Sequence, residues 1–237
     1  MTSSVIVAAA HEFARTAAGW IADRMGAAIE ARKSCAVALC GGSTPVPVLA
    51  DLVGRSIRWN DVSVYFGDER AVPPDHRDSN FGMARRALLD HVPLDPARVH
   101  RMRADRDDLA AAALDYERSL PERLDILMLG LGPDGHTASL FPETPALRPG
   151  ARIVLAVAAP SPPVTPQVAR MTITPLVIEA ARNVVVLVAG ADKAGIVARV
   201  LDGPLDPFAL PAQLARGDTW ILDHDAARQL KGREEPQ

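Results

Sequence analysis

Aromatic side chains are scarce, at 4% of the 237 residues, and lysine and arginine form no block anywhere in the chain. With a formal net charge of −3, the sequence lacks both the positive stripe and the stacking surfaces that nucleic-acid binding calls for, so no nucleic-acid partner is expected. Long apolar runs are missing too. No stretch approaches the roughly 20 residues of a membrane span. The opening "MTSSVIVAAAHEF" has no basic lead, and its apolar run is short for a secretory signal. The expectation is a soluble, cytoplasmic protein with no membrane partner. Cysteine is nearly absent. Cys35 and Cys40 lie five positions apart in one apolar segment. On a strand that odd spacing turns them to opposite faces, so a disulfide between them is not expected. Two reduced, buried thiols fit a reducing compartment. His11, His76, His91, His100 and His224 show no metal-ligand spacing and read as structural or exposed.

What the chain has in quantity is apolar residues, at 48%, punctuated by 20 prolines and 16 glycines. That suffices for a sizeable core, and the expectation is one domain spanning 1–237. The proline-rich "APSPPVTPQ" (159–167) reads as a long surface loop rather than a linker. Apolar residues at helical spacing predict a long amphipathic helix over 8–32, with further helices over 80–90 and 107–119. "CAVALC" (35–40), "VSVYF" (62–66), "DILML" (125–129) and "VVVLVAG" (184–190) read as buried strands, and "TWILD" (219–223) as a short one. Residues 152–158 and 168–174 look extended. "GDERAVPPDHRDS" reads as a polar loop, and "STPVPVLADLVG" as a helix that Ser43 or Thr44 can cap.

Continuous apolar strands alternating with helices imply an α/β fold: a mainly parallel, Rossmann-like sheet with helices on both faces and a smaller extended subregion. Ligands in such sheets sit at the carboxyl ends of the strands. That puts the loops beginning at Gly41, Gly67, Gly130 and Gly190 on one rim.

The loop after 125–129 reads "LGLGPDGHTASLFP" and spells Gly130-x-Gly132-x-x-Gly135, the letters of a dinucleotide turn. The chemistry does not fit that reading. Pro142 follows too soon for a full helix, Pro133 removes a backbone donor, and Asp134 would set a carboxylate beside the pyrophosphate. The acid expected about twenty residues on, at the end of the next strand, is missing. The alternative is a tight turn that brings Asp134 and His136 to the strand end, with histidine as a general base near neutral pH. The plainer reading, a structural histidine satisfying a loop carbonyl, stands beside it.

"GLGPDGHTASLFP" resembles the signature of the 6-phosphogluconolactonase family, within the glucosamine-6-phosphate isomerase/deaminase superfamily. "CGGSTPVPVLADL", "VYFGDERAVPPDHRDSNFGMARRALLDHV", "RMTITPLVIEAARNVVVLVAGADKAGIVARVL" and "LPAQLARGDTWILDHDAARQL" resemble further segments of that family, in order. The deaminases resemble "GHIAFNEP" where this chain has "GHTASLFP", and Phe141 stands in place of their catalytic glutamate. That departure favours lactone hydrolysis over deamination. A non-catalytic sugar-phosphate sensor is the other alternative.

The resemblance implies hydrolysis of a sugar-phosphate lactone in the pentose phosphate pathway, with His136 as base on water and Asp134 positioning the imidazole. It implies Arg70 as the cation at the oxyanion, and Asp68 orienting Arg70 or a water. Gly41, Gly42, Ser43 and Thr44 would form the phosphate-side loop. Arg170 and Lys193 would meet the phosphorylated sugar. Asn80 and Arg77 are weaker candidates. Lys193 falls in the first turn of a helix, where a cation is disfavoured unless an anion offsets it. Neither "GGSTP" nor "TASLF" makes a nucleophile elbow, so no acyl-serine is expected, and no metal or organic cofactor. The partner expected is the small-molecule lactone, and the assembly state a monomer or small homo-oligomer.

Overall fold

A computed structural model of the chain describes residues 4–232. Six strands form one sheet: β1 (Ser4–Ala8), β2 (Cys35–Leu39), β3 (Val62–Phe66), β5 (Ile126–Leu129), β8 (Val184–Val188) and β9 (Thr219–Asp223). They lie in the order β1-β9-β8-β5-β2-β3, and every neighbouring pair is parallel. β5 and β8 are buried along their whole length, which is why they read as unbroken apolar runs rather than as alternation. The helices α1 (Phe13–Arg32), α2 (Pro45–Val53), α3 (Asn80–Ala87), α4 (Leu109–Ser119), α5 (Pro175–Ala180), α6 (Ala194–Asp202) and α7 (His224–Ala227) flank the sheet. Trp220 and Phe66 on the sheet, and Ile21 and Met25 on α1, are among the largest fully buried side chains. No helix among the described residues is long and apolar enough to cross a membrane.

The smaller extended region is a three-stranded antiparallel sheet, in the order β4 (Asp68–Arg70), β7 (Arg170–Ile173), β6 (Val154–Val157). Gly67 joins the two sheets: its N–H donates to Leu39 and its carbonyl accepts from Ile173. Asp68–Arg70 is therefore a strand, not part of a loop. Its partner β7 lies far along the chain, and local composition carries no trace of that pairing.

The helix expected over 8–32 begins at Phe13, and the preceding "SVIVA" is the edge strand β1. Half-buried and paired only with β9, β1 blends into the alanine-rich start of the helix. The short helix α5 was not anticipated. The expected cap of α2 is also not made: Thr44 occupies the N-cap position, but its side chain accepts no capping hydrogen bond. Cys35 and Cys40 are free and buried. Burial pushes both thiols up to about 12, so they stay protonated and unreactive near neutral pH.

Candidate functional site

The carboxyl ends of β2, β3, β5 and β8 share one edge of the parallel sheet, so the loops that begin at Gly41, Gly67, Gly130 and Gly190 rise side by side. The loop after β5 folds back on itself. Gly132 N–H donates to His136 O at 2.8 Å, and Thr137 Oγ1 donates to Gly130 O at 2.9 Å. Gly135 takes a φ of +91°, which favours glycine. Gly132 makes room for the imidazole, since a Cβ built there would lie 2.0 Å from His136 Nδ1.

The turn places Asp134 Oδ1 2.5 Å from His136 Nδ1, and the same oxygen accepts from His136 N at 3.1 Å. With Nδ1 donating to the carboxylate, Nε2 is the nitrogen left to accept a proton. Burial pushes the Asp134 carboxyl up, but the hydrogen bond and charge of His136 outweigh it, and the group sits below its ordinary value. It is an anion throughout the neutral range. The Phe141 ring packs 4.9 Å from the imidazole. The position that carries a carboxylate in the deaminase phrase is thus an apolar wall here.

Alternation along the small sheet decides what meets this loop. In β4, Asp68 and Arg70 point to one face and Glu69 to the other. Their register partners on the first face are Thr172 and Arg170. That face lies against the His136 loop: Ser139 Oγ donates to Asp68 Oδ2 at 2.6 Å, and Ser139 N donates to Thr172 Oγ1 at 3.1 Å. The other Asp68 oxygen accepts from Asn80 Nδ2 at 3.0 Å. Asp68 is therefore a buried strut between the His136 loop and the start of α3, and its oxygens are not spent on Arg70. The expected orienting of Arg70 falls to other groups. Arg70 Nη1 donates to Asp78 O at 2.7 Å, and the Arg70 backbone N–H donates to Glu69 Oε1 at 2.8 Å.

Glu69 was not anticipated. It is 3% exposed and accepts from the backbone of Arg70, Asn80 and Phe81 and from Ser79 Oγ. Burial raises its carboxyl above the ordinary value despite these donors. It closes the segment between β4 and α3 into a fixed arch. Within a run of three charged residues, nothing in the sequence marks the middle one as the buried one.

The remaining expected residues divide. Asn80 lies at the rim, and its Oδ1 would be 1.8 Å from a Cβ at Gly41, so that glycine is what lets the amide sit against the first loop. Gly42 has a φ of +102°. Ser43 is exposed and Thr44 half-buried, and neither hydroxyl caps α2. Lys193 closes a short 3₁₀ turn and occupies the N-cap position of α6. Its Nζ donates to Leu131 O at 3.1 Å, which ties it to the His136 loop. Arg77 stands apart, its side chain 89% exposed. His100 stacks on Tyr65, with ring centroids 4.5 Å apart. The segment 159–167 runs beside β6, and a cavity of about 750 Å³ opens between it, Asp134 and Phe141. Among the described residues no group of three His, Cys, Asp or Glu side chains converges on a metal position.

What gathers here is a histidine–carboxylate pair, a small sheet that carries two opposed arginines and packs on the same loop, a lysine tied to that loop, and a glycine-hydroxyl loop on the same rim. Comparison with known proteins agrees with the sequence resemblance. Residues 8–222 match the family model described as glucosamine-6-phosphate isomerases/6-phosphogluconolactonase. A 6-phosphogluconolactonase of Mycobacterium tuberculosis is 39% identical, over 97% of this chain and 99% of its own length. One from Streptomyces coelicolor is 40% identical, over 92% of this chain and 90% of its own. The solved structure of 6-phosphogluconolactonase from Trypanosoma cruzi superposes with a TM-score of 0.85 at 28% identity, over 98% of each chain.

Proposed function

The chain belongs to the glucosamine-6-phosphate isomerase/6-phosphogluconolactonase family, and we propose that it hydrolyses 6-phospho-D-glucono-1,5-lactone to 6-phosphogluconate, a step of the pentose phosphate pathway, by direct attack of water. The observation that carries this reading is the Asp134–His136 contact at the end of β5, which leaves Nε2 as the base.

His136 removes a proton from water as the oxygen attacks the lactone carbonyl. The carbonyl becomes a tetrahedral oxyanion, and Arg70 holds that charge. On collapse the C1–ring-oxygen bond breaks, and the protonated His136 returns the proton to the departing ring oxygen. Asp134 fixes the tautomer and stabilises the imidazolium. Gly41, Gly42, Ser43, Thr44 and Lys193 anchor the phosphate, a remote contact whose binding energy orients the reacting centre. The absence of an acyl-enzyme is supported by Ser139, the serine of this loop. It is fully buried and donates its hydrogen bond to Asp68 rather than to a histidine.

The test is the rate of lactone loss, with the lactone generated in place by glucose-6-phosphate dehydrogenase and compared with its spontaneous hydrolysis. Loss no faster than background would sink the enzyme reading.

A further outcome is expected. Gly132→Ala puts a methyl group into the imidazole. The ring must shift, and a misplaced base costs activity. We expect a loss of roughly tenfold or more in kcat with the far-UV spectrum unchanged, and an unaltered kcat would show that the ring position is not critical.

A further inference from the structure

The family resemblance gives Arg170 to the phosphorylated end of the substrate, but its position in the fold points elsewhere. Arg170 and Arg70 are register partners in the antiparallel pair β4–β7. Directly opposite residues leave the same face with their Cβ atoms about 5 Å apart, and like charges there repel. Arg170 is 2% exposed. Burial disfavours its charge most, and Arg70 adds to that, against Asp68, Asp134 and Glu69. Arg170 Nη2 donates to Pro166 O at 3.0 Å, yet its Nε, like that of Arg70, is buried without a hydrogen-bond partner. Two buried, unpartnered guanidinium N–H groups on neighbouring cations are costly, and an anion between them relieves both the repulsion and the missing bonds.

The place where such an anion would sit is the reacting centre. The Arg170 guanidinium carbon is 5.4 Å from the centroid of the Phe141 ring, and that same ring packs 4.9 Å from the imidazole of His136. Leu155 and Val157, on the same face of the small sheet, line the cavity beside Asp134. Lys193, by contrast, reaches the loop from the side of β8 and α6, through Leu131.

We propose that Arg170 joins Arg70 as a two-arginine cradle for the C1 oxygen atoms, an assignment that rests on the proposed lactone hydrolysis. In the transition state the cradle holds the oxyanion formed from the lactone carbonyl. After ring opening it holds the two oxygens of the product carboxylate. The substrate phosphate is left to Lys193 and the loop at Gly41–Thr44.

Two ligands separate this from a phosphate role. 6-Phosphogluconate carries both a carboxylate and a phosphate, and glucose 6-phosphate carries only the phosphate. Their dissociation constants are measured by calorimetry on the wild type and on Arg170→Lys, with Arg170→Met as a second variant of similar volume and thermal melting as the check on folding. The lysine keeps the charge but loses Nε and the fork geometry. The expected result is that binding of 6-phosphogluconate weakens by roughly tenfold to a hundredfold, as for loss of charged hydrogen bonds. Glucose 6-phosphate should be held as before, and kcat for the lactone should fall in parallel. Equal weakening of both ligands with kcat retained would return Arg170 to the phosphate and overturn the assignment. Failure of the wild type to hydrolyse the lactone at all would instead sink the proposed function.

Discussion

Replacing His136 by asparagine is expected to lower kcat for lactone hydrolysis by roughly 10²–10⁴, the usual worth of a positioned general base. Asparagine is chosen because its amide N–H can still donate to Asp134 Oδ1, the present partner of Nδ1. The loop would then keep its internal bonds, Gly132 to His136 O and Thr137 to Gly130 O, neither of which uses the ring. What is lost is Nε2, the atom that in the proposed mechanism accepts a proton from water and returns it to the ring oxygen. The effect belongs on kcat more than on KM, because the base acts in the transition state and not in binding. Binding of 6-phosphogluconate, measured separately, should persist. A variant within a few-fold of wild type would mean that another group takes the proton.

How much of this was legible in the sequence depends on the range of the interaction concerned. β2, β3, β5 and β8 announced themselves because each is buried over most of its length and, Ser63 in β3 apart, apolar throughout. The rim of loops followed from parallel strands alone. The Asp134–His136 contact was within reach, since the two residues are neighbours in a glycine-rich turn and local geometry brings them together. The small antiparallel sheet was legible only as extended stretches at 152–158 and 168–174. The partner of the second stretch, Asp68–Arg70, looks like a hydrophilic loop, and its strand character exists only through pairing with β7. For the same reason the burial of Glu69, the strut formed by Asp68 and Ser139, and the opposition of Arg70 to Arg170 had no local signal. Each is a contact between segments far apart in the chain. The helix α5 is short and opens on Pro175 directly after β7, so its few residues gave too little periodicity to read. Family resemblance named candidate site residues and paired Asp134 with His136, but it did not show that Asp68 bonds Ser139 and Asn80 or that Arg70 lies opposite Arg170.

Arg70→Met is expected to cut kcat by roughly 10²–10³, the cost of removing one donor from a developing oxyanion, while KM changes little. Methionine fills much of the volume of the arginine stem without charge. The arch that carries the side chain should survive, because Glu69 holds it through the backbone N–H groups of Arg70, Asn80 and Phe81, none of which the substitution removes. The only side-chain bond of Arg70 in the described structure is to the carbonyl of Asp78, in a half-buried segment where water can replace it. Stability should move the other way from activity. Arg170 is 2% exposed and sits opposite Arg70 in the sheet, so the wild-type protein bears a like-charge repulsion that the variant relieves. The melting temperature of Arg70→Met, measured without ligand, should therefore equal or exceed that of the wild type. Higher stability together with lost turnover would mark the arginine pair as a site that trades the empty protein's stability for binding an anion. If the variant melts lower and turns over normally, Arg70 is a structural residue of the small sheet, and the oxyanion must be held by Arg170 or by the backbone.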